Sequence, residues 1–199
     1  MLAPASSSAI TCRDRKGLAA KAARTIVKLR VIGRSQQLIR IDFENQPDHE
    51  VLADMLAALA ASLPCRITRR EPVPDNLDLL IAELDAASSA DVIVTSGGAS
   101  VGDHDLMIPA LQAWGAELDF WKVAIKPGKP LLVARKGQQV VLGLPGNPVS
   151  SFVTAWLFLL PLLRRLSGAQ QPLPVRHEAR LATAMAGGGD RREFLRGIL

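Results

Sequence analysis

The feature that most constrains the fold is a short run of β-branched apolar residues that ends in glycines. The run Asp91-Val-Ile-Val-Thr95 is followed directly by Ser96-Gly97-Gly98. An apolar run without alternation is typical of a parallel strand that is covered on both faces. Glycines after such a strand let main-chain N–H groups converge on an anion. The run therefore predicts a buried strand that leads into an anion-binding loop.

Helices and strands alternate on both sides of this run, within residues 47–168. Apolar spacing and capping residues predict helices at 50–63, 77–87, 106–114 and 147–166, the last kinked at Pro161. Strands are predicted at 65–73, 91–95, 118–125, 131–134 and 140–144. This alternation predicts an α/β fold with three layers, in which a mainly parallel sheet has helices on both faces.

The two flanking segments lack such a pattern. Residues 1–46 show no sustained period and are predicted to be an irregular basic N-terminal segment, with a short strand at 28–32. Residues 169–199 are rich in proline and then in glycine, which is typical of a linker that leads into a further unit. The expected division is therefore 1–46, 47–168 and 169–199.

The net charge of +5 hides an uneven distribution. Residues 1–40 carry a net charge of +8, residues 41–163 of −7 and residues 164–199 of +4. The predicted domain is acidic and aromatic residues make up only 4%, so neither a basic surface for a nucleic-acid backbone nor base-stacking platforms are expected. We therefore expect no nucleic-acid partner.

Other features indicate a cytoplasmic protein. Cys12 and Cys65 lie far apart without metal-ligand spacing, and the N-terminus lacks an apolar signal segment. The most apolar stretch, residues 149–163, is shorter than the ~20 residues of a membrane span, so we expect a buried helix and no membrane partner.

Loop 1, residues 96–105, contains the first group of candidate site residues. The main-chain N–H groups of its glycines, and its first hydroxyls, could bind phosphate oxygens. Asp103 and Asp105 add carboxylates that would hold Mg²⁺ beside a phosphate. The alternative is a tight turn whose acids only cap the next helix.

Loop 2, residues 121–130, contains the lysines Lys122, Lys126 and Lys129 together with two prolines that stiffen the turn. Lys122 and Lys126 are an even number of residues apart, so on an extended strand they would share a face. Loop 2 is interpreted as a site for phosphate or another oxyanion, with a solvated surface turn as the alternative.

Loop 3, residues 143–151, joins a strand to a helix start. Asn147 is a good cap and Pro148 suits the first helical turn, while Ser150 places a hydroxyl there. The helix N-terminus could accept an anion, or the motif could be capping and nothing more.

Taken together, three motifs resemble the molybdopterin molybdenumtransferase family, of the MoeA and gephyrin E-domain type. They are Thr95-Ser-Gly-Gly-Ala-Ser-Val-Gly-Asp-His-Asp105, Phe120-Trp-Lys-Val-Ala-Ile-Lys-Pro-Gly-Lys-Pro130 and Gly143-Leu-Pro-Gly-Asn-Pro-Val-Ser150. The resemblance implies a MogA-like domain of molybdenum cofactor biosynthesis. It also implies an enzyme that uses Mg²⁺ to insert molybdate into adenylylated molybdopterin, a pterin nucleotide, with release of AMP.

The resemblance also implies roles for individual residues. Asp105 and Asp75 match acidic family positions and would hold Mg²⁺ or the pyrophosphate, with Asn76 in place of the second acid of the family's pair. Lys122 and Lys126 match the family lysines near the anionic ligand, and Lys126 with Ser150 would contact molybdate. The remaining pocket residues would be Ser96, Gly97, Gly98, Ser100, Gly102, Lys129, Pro145, Gly146 and Asn147.

The sequence also departs from the family pattern. Residues 1–46 are too few for the family's N-terminal domains, and the Thr-Gly-Asp-Glu stretch that opens the family domain is not found. Residues 192–199 resemble the first strand of the family's C-terminal β domain. We therefore expect a chain that is truncated at both ends, with impaired activity and a homodimer weakened by the missing N-terminal domains.

Three other interpretations stay open. A stand-alone molybdopterin adenylyltransferase has the same fold and a similar glycine loop, and an inactive remnant of the pathway could merely bind a partner. The stretch from Gly98 to Gly102 also fits the G-x-S-x-G turn of α/β hydrolases, with Ser100, Asp119 and His177 in the right chain order.

Overall fold

The computed structural model describes residues 5–11, 27–33, 36–43, 49–97, 106–184, 189–195 and 197, and their side chains from residue 51 onward. Its centre is a six-stranded sheet in the order β4-β1-β5-β9-β8-β6. The strands are β1 Ala5–Thr11, β4 Arg66–Val73, β5 Val92–Ser96, β6 Glu117–Trp121, β8 Leu132–Lys136 and β9 Gln139–Leu144.

The sheet is mixed rather than mainly parallel. Among its neighbouring strands only β5 and β9 pair in parallel, whereas β1 is antiparallel to both β4 and β5, and β8 to both β6 and β9. Strands β4, β5, β9 and β6 nevertheless run in one direction. Strands β8 and β9 form a hairpin, which agrees with the two strands that the sequence predicts on either side of a turn at Gly137. The sequence prediction missed that β1 enters the sheet between β4 and β5.

Helices cover both faces of this sheet, so the predicted three-layer α/β fold is confirmed. The described helices are α1 His49–Ala60, α2 Leu77–Ala86, α3 Met107–Ala113, α4 Pro148–Thr154 and α5 Leu160–Leu166. On β5, Ile93 packs with α2 and α3, whereas Val92 and Val94 pack with α1 and α5. Both faces of β5 are buried, which explains its unbroken apolar sequence.

The helical region at 148–166 contains a π-helical turn, Ala155–Leu159, between α4 and α5. This turn ends two residues before Pro161, which has no N–H for the ordinary helical hydrogen bond. The kink predicted at Pro161 therefore occurs as a π-helical turn. Leu159, Leu160 and Leu163 are buried, but Phe152 and Trp156 are exposed. The expectation of a buried helix therefore holds for one face of this region and not for the other.

The same helical region, 148–166, is the one described helix long and apolar enough to cross a membrane, by length and composition alone. Its buried side is part of the packed core beside α1 and β9. Packing of this kind is typical of the core helix of a globular domain.

The flanking segments contain strands that the sequence did not predict fully. Besides β1, β2 Val27–Gly33 and β3 Gln36–Phe43 form an antiparallel pair, so the described parts of residues 1–46 are not irregular. In residues 169–199, the C-terminal tail, β10 Arg192–Glu193 pairs in parallel with β7 Ile125–Lys126. The domain boundaries at 46 and 168 remain a prediction.

Candidate functional site

Loops 1, 2 and 3 leave the sheet at the same edge. Trp121 at the end of β6 is paired with Leu132, Leu132 with Gly143, and Gly143 with Thr95. These four residues form one row across the sheet, and each loop begins in that row or one residue beyond it. The carboxyl ends of β5, β6 and β9 therefore meet where open α/β sheets bind their ligands.

Loops 1 and 3 are in direct contact. The N–H of Gly97 donates to the carbonyl of Leu144 at 3.2 Å, and the position of a Cβ at Gly146 would lie 3.6 Å from the Cα of Gly97. Gly97 also has a φ of +85°, which favours glycine. Glycine therefore serves here to bring the two main chains together.

Loop 2 does not continue the strand as predicted. β6 ends at Trp121, and Lys122 has a φ of +78°, which is unusual for a residue with a Cβ. The N–H of Lys122 donates to the carbonyl of Leu131, and that of Val123 to the carbonyl of Lys129, both at 2.9 Å. The expectation that Lys122 and Lys126 share a face of one extended strand is therefore wrong.

The three lysines of loop 2 have different surroundings. The Nζ of Lys122 lies 3.7 Å from the centre of the Trp121 ring, in a cation–π contact. The Nζ of Lys126 lies 2.5 Å from Oε1 of Glu193, and Lys129 is exposed. Lys122 is thus oriented by a neighbouring ring and Lys126 by an acid of the tail.

Gly128 lies where loop 2 packs closely on α4, the helix that follows loop 3. A Cβ at Gly128 would lie 2.6 Å from Cγ2 of Thr154 and 3.1 Å from Cδ1 of Ile125. Its φ of +107° excludes ordinary side-chain residues as well. Loop 2 therefore packs closely on α4 only because residue 128 has no side chain.

Loop 3 uses its main-chain donors internally. Oδ1 of Asn147 accepts from the N–H groups of Val149 at 3.1 Å and Ser150 at 3.2 Å, and the Ser150 hydroxyl also points to it at 3.5 Å. The Ser151 hydroxyl donates to the carbonyl of Pro145, a buried residue. The helix start is thus capped, as expected of Asn147, and its first N–H groups are not free for an anion.

Asp75 lies at the same edge of the sheet, just after β4. Both Pro72 of β4 and Ser96 of β5 are paired with Ser6 of β1, so the ends of β4 and β5 are level. Asp75 is exposed, and its neighbour Asn76 caps α2 by accepting from the N–H of Leu79 at 3.1 Å. An exposed carboxylate here has the hard oxygen donors that Mg²⁺ prefers.

Several predicted site residues lie outside the described residues: Gly98, Ser100, Gly102, Asp103 and Asp105. In the part of the chain that the structure describes, no three His, Cys, Asp or Glu side chains form a group that could hold a metal ion. The roles assigned to Asp105 and to the loop 1 glycines beyond residue 97 therefore stay predictions.

Thr95 has an unusual environment at the base of loop 1. The residue is 0% exposed, and its Oγ1 has no hydrogen-bond partner among the residues that the structure describes. A Cβ at Gly143 would lie 3.4 Å from this oxygen. The Thr95 hydroxyl therefore lies between β5 and β9, directly under loops 1 and 3. The sequence marked Thr95 only as the end of the apolar run and the start of the first motif.

An apolar groove of about 820 Å³ adjoins loops 2 and 3. Pro127 and Pro148 contribute to it from the two loops, and the stacked rings of Phe152 and Trp156 form one wall, with their centres 6.3 Å apart. Phe194 and Leu195 of the tail complete it.

The hydrolase interpretation conflicts with the contacts of Asp119. Both carboxylate oxygens of Asp119 accept from Arg135, at 2.7 Å each. The hydrogen bond from Arg135 holds the pKa of Asp119 below its ordinary value. His177 is exposed in the tail. Asp119 is thus engaged by a guanidinium and not by an imidazole, as a triad would require.

Comparison with known proteins decides the family. Residues 44–165 match the family described as "Probable molybdopterin binding domain". The chain belongs to this family. The resemblance to molybdopterin molybdenumtransferases of the MoeA type is thereby confirmed.

Several relatives carry that enzyme's name. The chain is 39% identical to the molybdopterin molybdenumtransferase of Haemophilus influenzae over 126 residues, which cover 63% of this chain and 31% of the relative. It is 32% identical to the Nostoc enzyme of the same name over 179 residues, which cover 86% of this chain and 41% of the relative. It is also 40% identical to gephyrin of Dictyostelium discoideum over 113 residues, covering 48% of this chain and 16% of gephyrin. The chain thus matches less than half of the length of each of these relatives.

Sequence reasoning missed two residues of the site. Glu193 lies 67 positions from Lys126 in the chain, and no local pattern marks it as a partner. Thr154 lies in an apolar helix, and its contact with Gly128 depends on how loop 2 folds back. In both cases the relevant neighbour is determined by tertiary structure.

Proposed function

We propose that this domain binds adenylylated molybdopterin and molybdate and takes part in inserting molybdenum into the pterin, with release of AMP. The observation that carries the proposal is the convergence of loops 1, 2 and 3 on one edge of the sheet. The family match and the relatives named as molybdenumtransferases support it.

The lysines of loop 2 would supply the positive charge of the site. Three of the described N–H groups of loops 1 and 3, those of Gly97, Val149 and Ser150, already donate within the protein. Molybdate is a dianion, so its binding beside a phosphate needs fixed cations. Lys122 and Lys126 would provide them, and the Ser150 hydroxyl could donate to an oxyanion oxygen in place of its long contact with Asn147.

Asp75 and Asp105 would hold Mg²⁺. This ion commonly keeps several waters and binds through one or two carboxylates together with substrate phosphates, which suits an exposed Asp75 at the edge of the sheet. When bound, Mg²⁺ would neutralise the charge on the departing phosphate. The domain itself would orient the pterin nucleotide. No side-chain nucleophile is needed, because the two pterin thiolates would bond to molybdenum as one molybdate oxygen leaves with two protons as water, and a water molecule would cleave the pyrophosphate to free AMP. We also propose that the protein is cytoplasmic.

Calorimetric titration of the whole chain with sodium molybdate, in the presence of ADP and Mg²⁺, tests the site. Lys122→Ala should weaken molybdate binding roughly 10–100-fold, because a charge-assisted contact is lost. Lys136→Ala is a matched control, since Lys136 also lies over a tryptophan, Trp114, at 4.0 Å, but at the opposite end of β8. Equal effects of the two substitutions would contradict the assignment.

The activity needs its own measurement. Purified protein should be supplied with adenylylated molybdopterin and molybdate, and AMP release and metal-loaded pterin should be quantified. Incubation with ATP and molybdopterin is the comparison, because formation of adenylylated pterin there would point to an adenylyltransferase. Binding of the pterin nucleotide without either product would indicate a binding domain only.

A further inference from the structure

The tail of the chain closes over loop 2 as an added strand. The N–H of Arg192 donates to the carbonyl of Ala124 at 2.9 Å, and the N–H of Phe194 donates to the carbonyl of Lys126 at 2.8 Å. Phe194 and Leu195 then line the apolar groove together with Pro127. The tail is therefore held beside loop 2 by main-chain hydrogen bonds and by apolar contact.

This arrangement places a carboxylate on one of the candidate anion-binding lysines. Oε1 of Glu193 lies 2.5 Å from Nζ of Lys126. The Glu193 side chain is only 19% exposed, whereas that of Lys126 is 56% exposed. Glu193 is thus fixed by its strand, while the lysine side chain is free to turn towards solvent or a ligand.

We infer that Glu193 is a tethered competitor that occupies Lys126 until an oxyanion displaces it. The inference rests on the proposed function, since it takes Lys126 to be a ligand-binding cation. A carboxylate and an oxyanion compete for the same ammonium group, so the oxyanion must displace Glu193 before it binds Lys126. The tail therefore lowers the affinity of the empty site and gives way when the ligand arrives.

Molybdate titration of the whole chain tests the competition, with wild type compared with Glu193→Gln. The amide keeps the size of the side chain and can still accept a hydrogen bond, but removes its charge. Because the pair is partly exposed, we expect molybdate to bind roughly two- to fivefold more tightly to Glu193→Gln. Glu178→Gln, which neutralises an exposed acid of the same tail, should leave the affinity unchanged.

A double-mutant cycle tests whether Glu193 changes the affinity for molybdate through Lys126. In a Lys126→Ala background, Glu193→Gln should give no gain in affinity, because the cation for which both anions compete is gone. A gain of the same size in that background would overturn the inference, as would unchanged or weaker binding to the Glu193→Gln protein. The latter result would mean that Glu193 only orients the lysine.

A second measurement needs no ligand. Acetylation of Lys126 by a limiting amount of acetic anhydride, read by mass spectrometry, should be faster in Glu193→Gln than in wild type, relative to Lys136 as internal reference. Equal rates would overturn the inference. Absence of molybdate binding in every variant would overturn the proposed anion site and the competition with it, whereas equal binding in wild type and Glu193→Gln overturns the competition alone.

Discussion

Replacing Gly128 by alanine should displace loop 2 from α4 and destabilise the domain. The new Cβ would lie 2.6 Å from Cγ2 of Thr154, which is closer than real Cβ contacts occur. It would also have to adopt a φ of +107°, outside the range that alanine tolerates well. Both effects act where Gly128 of loop 2 packs on Thr154 of α4.

The expected loss in the free energy of unfolding of Gly128→Ala is the sum of these two contributions. A backbone angle in a sparsely populated region costs about 1–3 kcal/mol. Forcing an extra methyl group into a packed contact adds about 1–3 kcal/mol. The free energy of unfolding should therefore fall by roughly 2–6 kcal/mol in Gly128→Ala. Molybdate binding should weaken as well, because Lys126 and Lys129 flank this glycine.

Urea denaturation followed by circular dichroism measures the change, and two further variants separate its causes. Gly137→Ala is the control for backbone strain, because Gly137 has a φ of +61° but a Cβ there would meet nothing within 4 Å. That substitution should cost about 1–2 kcal/mol and leave molybdate binding unchanged. Thr154→Ser removes the obstructing methyl group and keeps the hydroxyl that donates to the carbonyl of Ser150 at 2.8 Å.

The double variant Gly128→Ala with Thr154→Ser should recover the steric part, about 1–3 kcal/mol, beyond the sum of the single effects. Strictly additive effects would show that the methyl group does not clash, and a Gly128→Ala protein as stable as wild type would refute the close packing of loop 2 on α4.

Three further predictions concern stability. Asn147→Ala should lower the free energy of unfolding by about 0.5–2 kcal/mol in urea denaturation, because two N–H groups lose their cap; no loss would mean that water replaces the cap. Leu159→Ala should cost about 2–5 kcal/mol in the same assay, since Leu159 is buried, whereas Leu166→Ala on the exposed side should cost far less. The pKa of Asp119 is lowered by the hydrogen bond from Arg135, so this pair stabilises the fold above about pH 4 and its contribution is lost as the pH falls below that value. Stabilities of wild type and Arg135→Gln should therefore converge on acidification, and a constant difference down to about pH 2 would contradict the pairing.

Local features were predictable because neighbours in the chain determine them. Asn147 and Pro148 predicted a helix start, and Asn147 does cap that helix. The run from Asp91 to Thr95 predicted a strand buried on both faces, and the five residues of the observed strand, Val92–Ser96, are all buried. Both predictions depend on contacts within a few residues or on burial alone, which sequence patterns report directly.

Features that depend on distant partners were not predictable. Strand β1 carries three consecutive serines in a weakly patterned segment, so nothing local indicated that it pairs with β4 and β5. The break at Lys122 arises from the way loop 2 closes on Leu131, although its sequence continues to look extended. The convergence of the three loops could be predicted because it needed only that their strands end at one edge.

The position of β1 between β4 and β5 sets a minimum length for any ligand that contacts both Asp75 and loop 1. Adjacent strands are spaced about 4.8 Å apart, so the chain end that bears Asp75 and the turn at Gly97 are separated laterally by roughly 10 Å. A single tetrahedral anion is too small to touch both. Simultaneous contact requires an elongated guest, such as one with a ring system at one end and a phosphate chain at the other.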